Sequence, residues 1–440
     1  MSTLYRRTPQ VLAKVIDHSL EQQQYAQAIA FSKRLLSLTP PSEVQLRQKA
    51  SIAIASAYFE ENNFADAEVA YTTILKSMKP DDKNRQGVED RLAASIYKQG
   101  EALKEQGDLN GSTQHFLRLG TVLPTSSFRS TAEFDAAANM ITEKNWSAAI
   151  GIMEKFKRNF PDHELITDID NNLAVAYLET ENHIKAAEQL TVISASYTDA
   201  TMQRDAVWQT AELYEKGNAF GKAIESYKTF LSRYPGQFEQ TVEARQRIID
   251  LYGELKLPDN QNFWRKELIS AIPANGTNYS DRARYLAASA ALTLAQPTYR
   301  AFEKIELVAP LKQNIANKRR AMETSLEAFN VAGQYSVAEV TTESTYRIGE
   351  LYRQFSGELL DSERPEGLSE EALEQYELIL EDQAYPLEEK AIEIHEANAT
   401  RISDGIYDEW VKGSFHSLGF LLPARYGKFE SSPQVIHEIN

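Results

Sequence analysis

The sequence predicts an all-α fold, a right-handed α-solenoid of paired helices. Three observations carry that expectation. A frame of small, bulky and proline positions recurs at a nearly constant period. Each period holds two segments with apolar residues at helical spacing. No run of four or more β-branched and aromatic residues alternates with polar ones, so strand signals are nearly absent.

The frame is clearest at its small position, which falls at Ala67, Ser112, Ala149, Ala186 and Ala223, separated by 45, 37, 37 and 37 residues. Four residues later stand Tyr71, Phe116, Met153, Leu190 and Tyr227, and nine residues earlier Tyr58, Leu103, Met140, Tyr177 and Tyr214, a row that Tyr252 continues. Pro80, Pro124, Pro161, Pro235 and Pro273 close the units, with Thr198 in the place of one proline, and a weaker first copy holds Ala28 and Pro40. Within the best copy Val207, Ala211 and Tyr214 recur at spacings of four and three, as do Ala223, Tyr227 and Phe230. Between them the Lys-Gly-Asn step at 216–218 predicts a helix end with Gly217 in the left-handed conformation. Pro235 ends the second helix because it cannot donate an i→i−4 bond. The Tyr rows read as interhelix packing.

After residue 273 the frame loosens. Asn275-Gly276 predicts a turn and Ser280 an N-cap, followed by an alanine-rich helix over 281–295 and a long helical stretch over about 298–333. Residues 337–386 read as one degenerate repeat: Ile348, Gly349 and Tyr352 in its first helix, Ala372, Tyr376 and Ile379 in its second, and an enlarged loop at 355–368. Last helices are expected over about 387–421, and the tail 426–440 is expected to fray. The chain therefore divides into a repeat array, 1–273, and a divergent helical region, 274–440.

Composition narrows the chemistry. Of 440 residues 42% are apolar and 25% charged, the profile of a folded protein. With 47 Lys+Arg against 63 Asp+Glu the net charge is −16, which repels nucleic acid. Cysteine is absent, which removes disulfides, thiolate chemistry and cysteine-ligated metal. No 18-residue apolar run predicts a membrane span. The N-terminal stretch is interrupted by Lys14, Asp17 and His18 and does not read as a signal peptide; a cytoplasmic chain and a mature or shortened exported one both fit.

No motif asks for catalysis. Asp168-x-Asp170-x-Asn172 with Glu179 imitates a calcium loop, but Leu173 occupies the position that needs Gly, so the segment reads as a solvated helix start. None of the seven His has another three to five residues away, and His395 and His416 read as surface or half-buried structural residues. Ser417 lacks the glycine of a nucleophile elbow, since Phe415 stands there, and no phosphate loop occurs. Lys318-Arg319-Arg320 reads as a solvated helix face. The expectation is no catalytic residue, no metal and no cofactor.

The frame resembles the tetratricopeptide repeat (TPR) through Ala211, Tyr214, Ala223, Tyr227 and Pro235, with further matches at Gly100, Phe116, Ala137, Ala149, Phe156, Pro161, Leu173, Ala174, Tyr177 and Ala186. The period of 37 is longer than the family's usual 34. The stretch AIESYKTFLSRYPGQFEQTVEARQRIIDLY is similar in style to bacterial cell-envelope TPR proteins, the coordinator of the Tol–Pal system and the barrel-assembly lipoprotein among them. The resemblance implies helix pairs whose small residues meet where they cross, and a scaffold with protein partners. Some family members clamp a C-terminal carboxylate with basic residues. Here Asp168, Asp205 and Glu243 stand where that clamp needs bases, beside Asn172, Gln209 and Arg247, so no such clamp is expected. The resemblance implies a non-enzymatic protein–protein interaction scaffold in the bacterial cell envelope or periplasm. The alternatives are a cytoplasmic peptide-binding regulatory protein and, last, an enzyme subunit with a solenoid arm.

Residues 335–400 carry 17 Asp+Glu against 4 Lys+Arg. They read either as a solubilising face or as a docking surface for a basic segment of a partner. In the docking reading Glu358, Asp361, Glu363 and Glu366 supply the charge, and Phe355, Leu359 and Leu360 the apolar anchors.

Overall fold

The computed structural model describes residues 3–427 except 277 and 366, with side chains from residue 8. The described residues are helical and contain no strand. Chain contacts divide the protein into two units, Met1–Ala219 and Phe220–Asn440.

The first unit runs α1 (Thr3–Glu21), α2 (Tyr25–Leu36), α3 (Val44–Glu60), α4 (Phe64–Ser77), α5 (Arg85–Glu105), α6 (Leu109–Val122), α7 (Phe128–Thr142), α8 (Trp146–Asn159), α9 (Ile166–Glu179), α10 (His183–Ser194) and α11 (Ala200–Lys216). Each helix packs against the next in sequence. The small position of the frame is the point of tightest burial: Ala67, Ser112 and Ala149 are fully buried and Ala186 is 1% exposed. Its bulky partners Tyr71, Phe116 and Met153 lie in the core, while Leu190 is half-buried. Ala149 sits among Ala137, Met140, Met153 and Phe156. Ala149→Leu is expected to overpack this crossing and to cost about 1–3 kcal/mol in a denaturant titration; an unchanged midpoint would mean the small position is not a packing constraint.

A short turn repeats in the first unit, after α1, α3, α5, α7, α9 and α11. Gln23, Asn62, Gly107, Lys144, Glu181 and Asn218 take positive φ, between 54° and 84°. The residue after each closes the helix with a 6→1 bond, as in Asn63 N–H to Tyr58 O (2.9 Å), Asn145 to Met140 (2.8 Å) and Ala219 to Tyr214 (2.8 Å). In four pairs the same residue, Asn63, Asp108, Asn145 or Asn182, also caps the next helix with its side chain. The left-handed position at 216–218 is therefore Asn218 and not Gly217, whose φ is −81°. The register of the 6→1 bond decides this. Gly217 answers a different need, since a Cβ there would lie 2.8 Å from the Ile184 side chain. Five of the six left-handed residues carry a Cβ at a steric cost of about 1–2 kcal/mol each. Lys144→Gly is expected to raise stability by about 1 kcal/mol, whereas the control Lys155→Gly, on an exposed helix interior, should lower it by about 0.5–1. Thermal melts of both variants check the opposite signs.

The second unit runs α12 (Phe220–Arg233), α13 (Phe238–Glu254), α14 (Pro258–Ala271), α15 (Asp281–Glu303), α16 (Leu311–Gly333), α17 (Ala338–Leu360) and α18 (Glu370–Ala399). A 3-10 turn (Thr400–Asp404), α19 (Glu409–Leu421) and α20 (Pro423–Tyr426) follow. Ala223, Tyr227 and Phe230 are fully buried, and Ser280 caps α15 by accepting from the Ala283 N–H. Two helix boundaries differ from the sequence reading. The alanine-rich helix does not stop at 295: α15 runs through Pro297 to Glu303, and the break falls at 304–310. Ala291, Ala295, Tyr299 and Phe302 are buried on both sides of Pro297, and that burial outweighs one lost backbone bond. Likewise α18 continues through Pro386 to Ala399, with Ala384 and Ala391 buried around it. The expected loop at 355–368 is shorter, because 355–360 complete α17. The tail from residue 428 lies outside the described residues.

Candidate functional site

Polar groups of α17, α18 and α19 meet inside the second unit. Glu350 of α17 is 5% exposed. It accepts from Arg353 Nε and Nη2 (2.9 and 2.7 Å) and from Ser417 Oγ of α19 (2.6 Å). His395 of α18, fully buried, places Nε2 3.4 Å from Glu350 Oε1 and Nδ1 3.2 Å from Ser414 Oγ. Asn398 donates to Ser414 Oγ (2.9 Å) and to the Thr342 carbonyl (3.2 Å). Asn398 occupies one of the two lone pairs of Ser414, and a ring proton on Nε2, toward Glu350, would leave His395 Nδ1 to accept from the serine hydroxyl. Burial opposes the charge on Glu350. The adjacent His395 imidazole, hydrogen bonds from Arg353 and Ser417 and the Arg353 charge hold its carboxyl far below the usual carboxylate range. Burial, followed by the negative charges of Glu350 and Glu303, pushes the nearby Tyr299 hydroxyl up to about 12.

Ser414, His395 and Glu350 bring together the residue types of an acyl-transfer triad. All three lie inside the core, and Gly349 presses on the imidazole so closely that a Cβ there would sit 2.6 Å from the ring. Ser414 has no solvent-exposed surface, and the three groups tie α17, α18 and α19 together. His395 is thus neither surface nor half-buried, contrary to the sequence reading, whereas His416 is exposed. One signal for this cluster was legible: Glu350 and Arg353 at a spacing of three. The Ser414 and Ser417 contacts depend on where α19 returns. Among the described residues no group of three or more His, Asp or Glu is placed to hold a metal ion, and no helix is long and apolar enough to cross a membrane.

The acidic site residues fare unequally. Phe355 and Leu359 are in the core, so they cannot anchor a partner, and Leu360 is half-buried against the same cluster. They point inward because α17 runs on to Leu360 instead of opening a loop at 355. Glu358 pairs with Lys318, which is fully buried, donates to the Ile305 carbonyl (2.9 Å) and stands 4.4 Å from the centre of the Phe302 ring. Lys318 is therefore not on a solvated face. Glu363 accepts from the Ala309 N–H (2.9 Å), Asp361 is exposed, and Glu366 lies outside the described residues. In the first unit Asp170 is likewise not solvated: it is 7% exposed and pairs with Lys157 at 2.5 Å. Residues 166–179 are helical and cannot wrap an ion.

What remains open to partners is surface. A groove of about 610 Å³ in the first unit is lined by Leu36, Val44, Arg47, Ile54, Ala70 and Met78. One of about 340 Å³ in the second lies among Gln246, Asp250, Arg265, Arg282 and Tyr285. The outer side of α18 exposes Leu378, Ile379 and Tyr385.

Helix pairs closed by a left-handed turn, crossing at buried small residues, define a tetratricopeptide-type repeat protein, and these repeats resemble those of bacterial cell-envelope proteins of that class. Residues 89–255 match the YfiO family, described as an outer membrane lipoprotein. None of the curated proteins compared matches the chain. Similar solved structures include a TPR repeat-containing protein from Cytophaga hutchinsonii, at 15% identity over 62% of this chain and 97% of that one (TM-score 0.25). A tetratricopeptide repeat protein from Parabacteroides merdae is 12% identical over 66% and 98% (TM-score 0.24). Pseudomonas aeruginosa pilF is 17% identical over 54% and 96% (TM-score 0.22).

Proposed function

We propose that this chain is a non-catalytic protein–protein interaction scaffold of the bacterial cell envelope, an accessory of export, energy-transduction or outer-membrane machinery. The observation that carries the reading is the match of residues 89–255 to a family described as an outer membrane lipoprotein. The enclosure of Ser414, His395 and Glu350 supports a packing role for this cluster. In this reading the regular array, 1–273, is the general scaffold and the divergent region, 274–440, gives partner choice, with Asp361 and Glu363 on the rim of a surface for a basic segment. Fractionation of the native host, with in-cell cross-linking and identification of bound proteins, tests it. Recovery with envelope proteins is expected; recovery from the cytosol alone, without envelope partners, would overturn the compartment.

A further inference from the structure

Helix α18 is built with two faces. Its inner face, Leu380, Ala384, Ala391 and His395, is buried in the second unit. At 100° per residue, Leu378 and Tyr385 fall within about 20° of each other and about 120° round the helix from that inner face, seven residues and about 10.5 Å apart. They are 56% and 63% exposed, and Ile379, 53% exposed, flanks them. A lone exposed leucine needs no explanation. Here two large apolar side chains stand in register across two turns of a helix whose inner face is already satisfied. Around them on the same outward side lie Glu371, Glu374, Asp382 and Glu389, all exposed. The whole helix carries ten carboxylates and one lysine, Lys390, which pairs with Glu393. Glu371, Glu374 and Asp382 form no ion pair among the described residues.

We propose that the outer face of α18 docks a basic amphipathic helix of a partner protein. The inference rests on the scaffold reading above and names the partner's chemistry. The i, i+7 apolar ridge matches the spacing at which a second helix presents its own apolar residues, so the occupant is helical and not an extended basic tail. The ring of carboxylates selects lysine and arginine flanks and speeds encounter, while the apolar ridge supplies the retention that exposed charge pairs lack. A second copy of α18 would set like charges against each other, and an anionic membrane surface would be repelled.

The test titrates the full chain into labelled synthetic peptides of about 20 residues, long enough to span the ridge. One has leucines at i, i+3, i+4 and i+7 among lysines; a second has the same composition with the period broken; a third replaces lysine with glutamate. The periodic basic peptide is expected to bind about tenfold more tightly than either control, one energetic decade. Leu378→Ser with Tyr385→Ser should remove about that tenfold. Glu371→Gln, Glu374→Gln and Asp382→Asn together should slow association and flatten its salt dependence. All five positions are exposed, so unchanged thermal melts are the folding control. Equal binding of the two basic peptides would overturn the proposal as mere polyelectrolyte attraction, and so would an unaffected ridge variant. A dimer of the wild type that the ridge variant dissolves would overturn it in favour of a second copy. None of these outcomes depends on the compartment, so the envelope reading and the α18 reading can fail separately.

Discussion

Glu350→Ala is expected to destabilise the second unit by about 3 kcal/mol, the lower end of the range for breaking a buried ion pair, because the Arg353 side chain is 35% exposed and partly solvated. The substitution strands more than a charge. Ser417 loses its acceptor, and His395 loses the carboxylate beside its Nε2, which has no other partner within the core. The effect should concentrate at the contacts of α19 with α17 and α18, read as faster amide exchange in α19 ahead of the rest of the unit. The pH dependence has a definite sign. The folded carboxyl titrates below its ordinary value of 4.5, so its contribution is fully present above that value and is lost as pH falls through and below it. Glu350→Gln keeps the shape and removes the titration. Its denaturant midpoint should be lower than the wild type's at neutral pH, and the gap should narrow on acidification below 4.5. A gap that stays constant would mean the carboxylate is not held charged by its neighbours.

Phe116→Ala should cost about 3–5 kcal/mol, the usual price of emptying a buried aromatic site. Phe116 is 1% exposed and lies 5.1 Å, centroid to centroid, from Tyr97. It fits only because residue 100 is glycine: a Cβ on Gly100 would lie 2.6 Å from the Phe116 ring. Glycine inside a helix ordinarily costs about 0.5–1 kcal/mol relative to alanine. At α5 the sign should reverse, with Gly100→Ala destabilising because the ring must shift inside a packed core. The two positions should couple. Gly100→Ala with Phe116→Leu should lose less than the two single changes added together, and a double-mutant cycle by urea unfolding measures the difference. Strict additivity would show that the ring has room to yield.

The fold was legible because a repeat writes the same packing problem several times. A small residue recurring at spacings of 45, 37, 37 and 37 can mean little else when Ala67, Ser112, Ala149, Ala186 and Ala223 each carry a bulky neighbour four residues on, and all five small residues are buried. Where the repeat lapses, local signals misled. The helix boundaries expected near 295 and 386 fall beside Pro297 and Pro386, yet both helices pass through these prolines because buried residues on either side stabilise the continued helix by more than a missing N–H costs. Gly217 read as the left-handed residue because glycine adopts that conformation most easily, but hydrogen-bond register assigns it to Asn218.

The candidate surface shows the same division. Composition alone determined that residues 335–400 are acidic and that cysteine chemistry and nucleic-acid binding are disfavoured. Helical period alone determined that one face of each helix would be buried. Which face, and against what, waited for the tertiary structure. It turned Phe355 and Leu359 inward, drew Lys318 into the core beside Glu358 and Phe302, and left Leu378 and Tyr385 outside among carboxylates. It also gathered Glu350, His395, Ser414 and Ser417 from three helices into one enclosed cluster. The physical reason is range. Backbone preference and periodicity act over a few residues and can be read along the chain. Desolvation and ion pairing depend on partners brought together from 40 to 67 positions away, and only the folded chain supplies those.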